Sequence, residues 1–213
     1  MSQGNDPGSR KREDPLWEIL PPEGSSLREA MRHFPTGVTV LTTGRGERAE
    51  GMTANAVISV SLDPPLMLVS VNRQARIHDR LQEEGYYALN LLADDQEGLS
   101  RLFASPERSS GLQAVNSLGG GYGSTGAPLA AGALAAIECE IEAVYPGGDH
   151  DLFLGRVVEV RLGDVRKGPL VYHEGTYPSL RPTPSPAEGP GAFLDAVRGY
   201  DARVSGLRRR KRR

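Results

Sequence analysis

Thr53-Ala54-Asn55-Ala56-Val57-Ile58-Ser59-Val60-Ser61-Leu62 alternates. On an extended chain Ala54, Ala56, Ile58, Val60 and Leu62 share one face, and Thr53, Asn55, Val57, Ser59 and Ser61 share the other. The first face is expected to be core. The second is small and hydrogen-bonding rather than charged. Asp63-Pro64-Pro65 closes the strand, and Leu66 to Val71 is a second apolar strand with Ser70 and Asn72 on one face. The small polar face has two readings. It is a solvated strand face, or it is a platform where a flat cofactor approaches the backbone and finds amides and hydroxyls. Pattern alone does not choose.

Upstream, Val38 to Thr43 is a β-rich run followed by a turn at Gly44 to Gly46. Ser26 and Glu29 have capping-box spacing for a helix over Leu27 to Phe34, which Pro35 ends. Downstream, the pattern predicts a helix over 75–84, a strand over Tyr86 to Leu92 and a helix over Gln96 to Phe103. Residues 104–132 are rich in Gly, Ser and Pro and read as loop. Ile137, Cys139, Ile141 and Ala143 alternate with Glu138, Glu140 and Glu142, a strand with one wet face. Leu152 to Leu162 and Leu170 to Tyr172 complete the strands. Six or seven strands with few helices and short turns point to a mainly β, antiparallel barrel rather than βαβ units. Residues 1–24 read as a flexible arm, 25–180 as the barrel domain, and 181–213 as a Pro-rich linker with a weakly amphipathic helix over 192–204 and a basic tail.

The chain has 213 residues and a single cysteine, Cys139. A lone cysteine forms no internal disulfide, which fits a reducing cytoplasm. The polar N-terminus lacks the apolar centre of a secretory signal, and no apolar run is long enough to span a membrane. Arg208 to Arg213 are all basic, so the remainder of the chain is acidic, since only 25 basic residues in all face 27 acidic ones. That tail is a solvated terminus or an electrostatic hook for an acidic partner or nucleic acid. Nothing else resembles a nucleic-acid module.

Gly121-Tyr122-Gly123-Ser124-Thr125-Gly126 matches a dinucleotide fingerprint, but loop precedes it and Ala127-Pro128 follows. The fingerprint requires a strand before and a helix after, so a plain loop is the better reading. His33, His78, His150 and His173 show no metal-ligand spacing, and no nucleophile elbow is present. No metal is expected.

Phe34-Pro35-Thr36-Gly37-Val38, Gly51-Met52-Thr53-Ala54-Asn55-Ala56 and Ser59-Val60-Ser61-Leu62-Asp63-Pro64-Pro65 together resemble the short-chain flavin reductase family. These are the reductase components of two-component flavin-dependent monooxygenases. The likeness continues through Val69 to Arg73, Ala88 to Leu92, Arg101 to Ala104, Gly148 to Val157 and Leu170 to Tyr172. It covers roughly residues 27–180.

The resemblance implies a split β-barrel homodimer with FAD or FMN in a groove near the subunit interface. It implies that Thr53, Ala54 and Asn55 lie along the ribityl chain and phosphate, and that Ser59, Val60 and Ser61 lie by the isoalloxazine. Ser70, Asn72 and Arg76 would hold the phosphate end, with Phe103 and Ala104 closing over it. His150, in Gly148-Asp149-His150, would contact the nicotinamide nucleotide, with Tyr172 and Tyr177 as neighbours. The reaction so implied is hydride transfer from nicotinamide C4 to flavin N5. It needs stacking and charge stabilisation but no side-chain nucleophile, so His150 is a positioning group. With no basic cluster beside His150 for a 2′-phosphate, NADH is expected rather than NADPH. The competing reading is a flavin-binding module without reductase activity.

Overall fold

The computed structural model describes residues 19–164 and 166–180. Most of the expected N-terminal arm, the expected helix over 192–204 and the basic tail lie outside the described residues. In chain order the elements are α1 (Gly24–Arg32), β1 (Thr36–Gly37), β2 (Thr39–Thr43), β3 (Glu50–Ala54), β4 (Val57–Leu62), β5 (Pro65–Asn72), α2 (Arg76–Glu84) and β6 (Tyr86–Leu91). They continue with α3 (Glu97–Ala104), α4 (Gly111–Leu118), β7 (Gly119–Tyr122), β8 (Pro128–Ala130), β9 (Ala135–Gly147), β10 (His150–Leu162) and β11 (Val171–Tyr172). Among the described residues no helix is long and apolar enough to cross a membrane.

Seven strands make one antiparallel sheet in the order β3-β2-β6-β9-β10-β5-β4. Its two edges, β3 and β4, are joined by Asn55 and Ala56 alone. Three Cα steps cover at most about 11 Å, so the edges must meet and the sheet must roll up. The result is the expected mainly β, antiparallel split barrel, with a seam at Asn55-Ala56. The Ser70 N–H donates to the Ala56 carbonyl at 3.0 Å and ties the seam to β5.

The seam corrects the reading of 53–62 as one strand. Ala54 pairs with Thr39, whereas Val57 pairs with Val69. Ala54 and Val57 both pack on the barrel core, although their spacing is odd. The break therefore shifts parity by one residue, and a one-residue shift turns every later side chain over. Ile58, Val60 and Leu62, expected inside, are 58%, 50% and 66% exposed. A bulge between Ser59 and Ser61 bends the same strand.

β2 is buried along its whole length. Leu41 faces the interior with Val69, Val71, Tyr87, Leu89, Cys139 and Phe153, and α2 adds Ile77 and Leu81. Val40 faces the other way and packs with Leu92, Phe103, Ala114 and Leu118 beneath α3 and α4. The buried Asn90 amide donates to the Val40 carbonyl at 3.0 Å and accepts from the Ala130 N–H at 2.8 Å. It thereby fastens β8 to the barrel wall without leaving a polar group unpaired.

Three further expectations are corrected. Residues 104–132 hold α4 and the β7–β8 hairpin rather than loop alone. Ser26 does not cap: α1 begins at Gly24, and Glu29 instead pairs with Arg32 one turn on. Glu138 is not on a wet face but fully buried, while Glu140 and Glu142 are exposed as expected. The reason is the loop over 121–126. Ser124 Oγ, the Thr125 N–H and Thr125 Oγ1 all donate to Glu138 Oε2, at 3.2, 2.8 and 2.8 Å. A Cβ at Gly123 would collide with that carboxylate. The glycine-rich loop thus wraps an anion, but the anion belongs to this chain. Burial pushes the Glu138 carboxyl up, yet the bonds from Thr125 and Ser124 outweigh it and hold the group below its ordinary range.

Candidate flavin site at the barrel seam

β3 delivers Thr53 and Asn55 to the seam. Thr53 Oγ1 donates to the Ser100 carbonyl at 2.6 Å, so its hydroxyl pins α3 against the strand. Ala54 lies behind, buried, and its carbonyl accepts from Thr39 Oγ1 at 2.7 Å. Asn55 is exposed, with its amide donating to Thr36 Oγ1 at 3.2 Å.

A cleft of about 350 Å³ opens between the seam and α3, lined by Val38, Met52, Thr53, Asn55, Phe103, Ala104, Arg108, Tyr172 and Tyr177. Asn55 also lines two adjoining clefts. One, of about 430 Å³, runs along Thr36, Val57, Met67 and Ile137. The other, of about 500 Å³, lies under Arg28 and Arg32 of α1. The floor is apolar and the rim polar, the usual make-up of a small-molecule site.

The walls are fixed by packing. Phe103 is fully buried, and a Cβ at Gly51 would lie 2.6 Å from its Cε1, so glycine is what lets the ring sit against β3. Tyr172 and Tyr177 meet edge to face at 5.4 Å. The Tyr177 hydroxyl is 2.8 Å from Ser100 Oγ, and the Arg101 guanidinium lies 5.0 Å over its ring.

Charge gathers at one end. Arg76 Nε donates to Glu50 Oε2 at 3.1 Å, and its Nη2 donates to the Arg108 carbonyl at 2.9 Å. Arg108 Nε donates to the Gly51 carbonyl at 2.9 Å. Burial and the neighbouring Arg76 lower the Arg108 pKa, against the pull of Glu50. Arg76 is paired with Glu50, whereas Arg108 is held by backbone carbonyls, so its charge is left to favour an anion.

The other expected residues stand elsewhere. Ser59, Val60 and Ser61 lie on β4, beyond the seam, where Ser61 Oγ accepts from the Asp63 N–H. Ser70 and Asn72 lie on β5, and Asn72 Oδ1 accepts from the Gln74 N–H at 2.8 Å. His150 opens β10 directly opposite Asn72, with Nδ1 2.7 Å from Asp149 Oδ1. That contact holds the Asp149 carboxyl below its ordinary range. None of these residues lines the three clefts, whereas Tyr172 and Tyr177 share theirs with Thr53 and Asn55.

Residues 31–181 match the family model described as flavin reductase like domain. The chain belongs to that family. It is 44% identical over 160 residues to the NADH-dependent FMN reductase AsuE2 of Streptomyces nodosus subsp. asukaensis, covering 75% of this chain and 86% of the relative. It is 36% identical to the reductase component of 4-hydroxyphenylacetate 3-monooxygenase from Thermus thermophilus, covering 73% and 95%. The solved structure of the Streptomyces globisporus C-1027 NADH:FAD oxidoreductase SgcE6 superposes with a TM-score of 0.71 at 37% identity, covering 79% of this chain and all of that one.

A flavin suits the residues that form the seam cleft. Its ring system is flat and apolar, and its tail carries hydroxyls and phosphate. The cleft offers an apolar floor at Val38 and Met52, an exposed amide at Asn55 and the Arg108 guanidinium, with Arg76 bonded to the Arg108 carbonyl outside the lining. Arg108 was not singled out from the sequence. The signal available was a cation placed beyond the helix that follows the seam strand, and the intervening Gly- and Ser-rich composition concealed it.

Proposed function

We propose that this flavin reductase family member oxidises NADH and reduces FAD or FMN, then releases the reduced flavin to a partner flavin-dependent monooxygenase. The carrying observation is the seam cleft, apolar below and net positive at one end, in a chain whose relatives are named for this activity. Flavin supplies the hydride acceptor and NADH the donor. Thr53, Ala54 and Asn55 border the ribityl chain, and Ser70, Asn72, Arg76 and Arg108 hold the phosphate end. Ser59, Val60 and Ser61 border the ring, and His150 orients the nucleotide. Phe103, Ala104, Tyr172 and Tyr177 keep water from the cleft. No thiolate takes part, because burial pushes the Cys139 pKa up to about 11.

The working unit we propose is a homodimer in the cytoplasm, built on residues 25–180, close to where the family match ends. Ile58, Val60 and Leu62 on β4 and Val158, Val160 and Leu162 on β10 are all between 44% and 76% exposed. Apolar sheet surface of this kind supports a second subunit covering it.

Titrating flavin into Arg108→Ala tests the site. Loss of a charge-assisted contact corresponds to about 1.5–3 kcal/mol, so FMN affinity should fall on the order of tenfold or more. Unchanged affinity for both flavins would place the cofactor elsewhere.

A further inference from the structure

Asp151 is a buried carboxylate one residue past His150, and the reaction as proposed gives it no role. Its Oδ1 accepts two bonds from one guanidinium, Arg73 Nε at 2.9 Å and Nη2 at 2.7 Å. Its Oδ2 lies 2.9 Å from His78 Nε2 on α2. His78 is itself buried, edge-on to Phe153 at 5.5 Å, with Nδ1 3.0 Å from Asp79 Oδ1. The Arg73 backbone N–H donates to the Asp149 carbonyl at 3.1 Å. Arg73 therefore grips the chain on both sides of His150, through a main-chain bond at 149 and a fork at 151.

That arrangement constrains one thing above all. His150 follows a turn at Gly147-Gly148, where Gly148 has φ of +75°, and its ring is partly exposed. A side chain on the end of a hairpin is free to swing unless both flanks are held. Here Arg73, just after β5, holds both flanks, and His78 on α2 adds a second hold at Asp151. Asp151 is the shared acceptor: two Arg73 nitrogens converge on Oδ1 while His78 engages Oδ2, so both carboxylate oxygens are held.

We propose that Arg73, Asp151 and His78 form a positioning cluster that sets the His150 ring for the nicotinamide nucleotide. The inference rests on the assignment of His150 to that nucleotide. Preorganisation of this kind lowers the ordering cost of binding, so its loss appears in affinity for the nucleotide before anything else.

The test is a double-mutant cycle in the full-length protein, read as the Michaelis constant for NADH, kcat, flavin affinity and thermal midpoint. Arg73→Ala and His150→Ala should each raise KM for NADH about tenfold, with flavin affinity unchanged and kcat altered less than KM. Arg73→Ala added to His150→Ala should raise KM no further. Arg73→Lys, which retains a charge for Asp151, should recover part of the loss. If Arg73→Ala lowers only the thermal midpoint, or if the two effects multiply, the cluster is merely structural and the proposal is overturned. If His150→Ala itself leaves KM unchanged, the nucleotide assignment has failed instead. Should Arg73→Ala not fold, Asp151→Asn, isosteric with the native side chain, takes its place with the same expected and overturning results.

Discussion

Gly51→Ala places a methyl group where the structure has none to spare. The new Cβ would sit 2.6 Å from Cε1 and 2.8 Å from Cδ1 of Phe103. Carbon atoms pack at about 3.5–4.0 Å, so the ring must retreat by roughly 1 Å. Phe103 is fully buried among Val38, Val40, Leu92 and Ala114, so it retreats only by displacing them or by moving into the seam cleft. Overpacking of this kind costs about 1–3 kcal/mol. For a domain of this size that is a fall in thermal midpoint of roughly 3–10 °C. Phe103 is also a wall of the seam cleft, and the Gly51 carbonyl holds Arg108, so flavin affinity should weaken alongside stability. Thermal unfolding by circular dichroism and flavin titration measure the two effects. Phe103→Leu in the same chain removes the colliding ring tip. The double variant should therefore be more stable than the sum of the singles by about 0.5–3 kcal/mol. A normal midpoint in Gly51→Ala, or strict additivity, would refute the claim that glycine stands here to admit the ring.

Glu138→Ala removes the acceptor of three bonds from Ser124 and Thr125 and should cost about 2–4 kcal/mol, read by urea unfolding. Because the folded carboxyl titrates below its ordinary range, this stability is present above about pH 4.3 and lost as pH falls through the folded value. Burial lowers the His78 pKa, but bonds to Asp79 and Asp151 outweigh it and the net shift is upward. Its contribution is therefore full below about pH 6.5 and lost as pH rises through the folded value. The midpoint difference between wild type and His78→Gln should shrink as pH is raised, and a constant difference would count against the ion pair. Cys139→Ala should leave turnover unchanged, and a thiol reagent should label the wild type only after denaturation.

The barrel was legible because strand alternation survives in the sequence even where loops do not. The seam was hidden for a physical reason. Residues 53–62 alternate with one exception, Val57 among the polar positions, and the change of partner from β2 to β5 reverses the inward face there. Helix α4 was hidden by composition: Ala114 and Leu118 are its buried face, but glycine and serine surround them. Glu138 read as solvated because its partners come from a loop that folds back over the barrel. Thr53, Asn55, Phe103, Ala104, Tyr172 and Tyr177 converge on one cleft as a group, although they come from four separate segments. The resemblance named all six, but gave Tyr172 and Tyr177 to the nucleotide and the other four to the flavin. The pairing of Asp151 with His78 and Arg73 is not legible in the sequence, because only the fold brings these separate segments together.

Anaerobic mixing of the full-length protein with NADH and stoichiometric FMN or FAD tests the central claim most directly, with flavin bleaching and NADH loss followed together. The flavin should be reduced with one NADH consumed per flavin, and readmitted oxygen should restore the oxidised spectrum. Flavin that binds but stays oxidised in the presence of NADH and of NADPH would contradict it and leave a binding module.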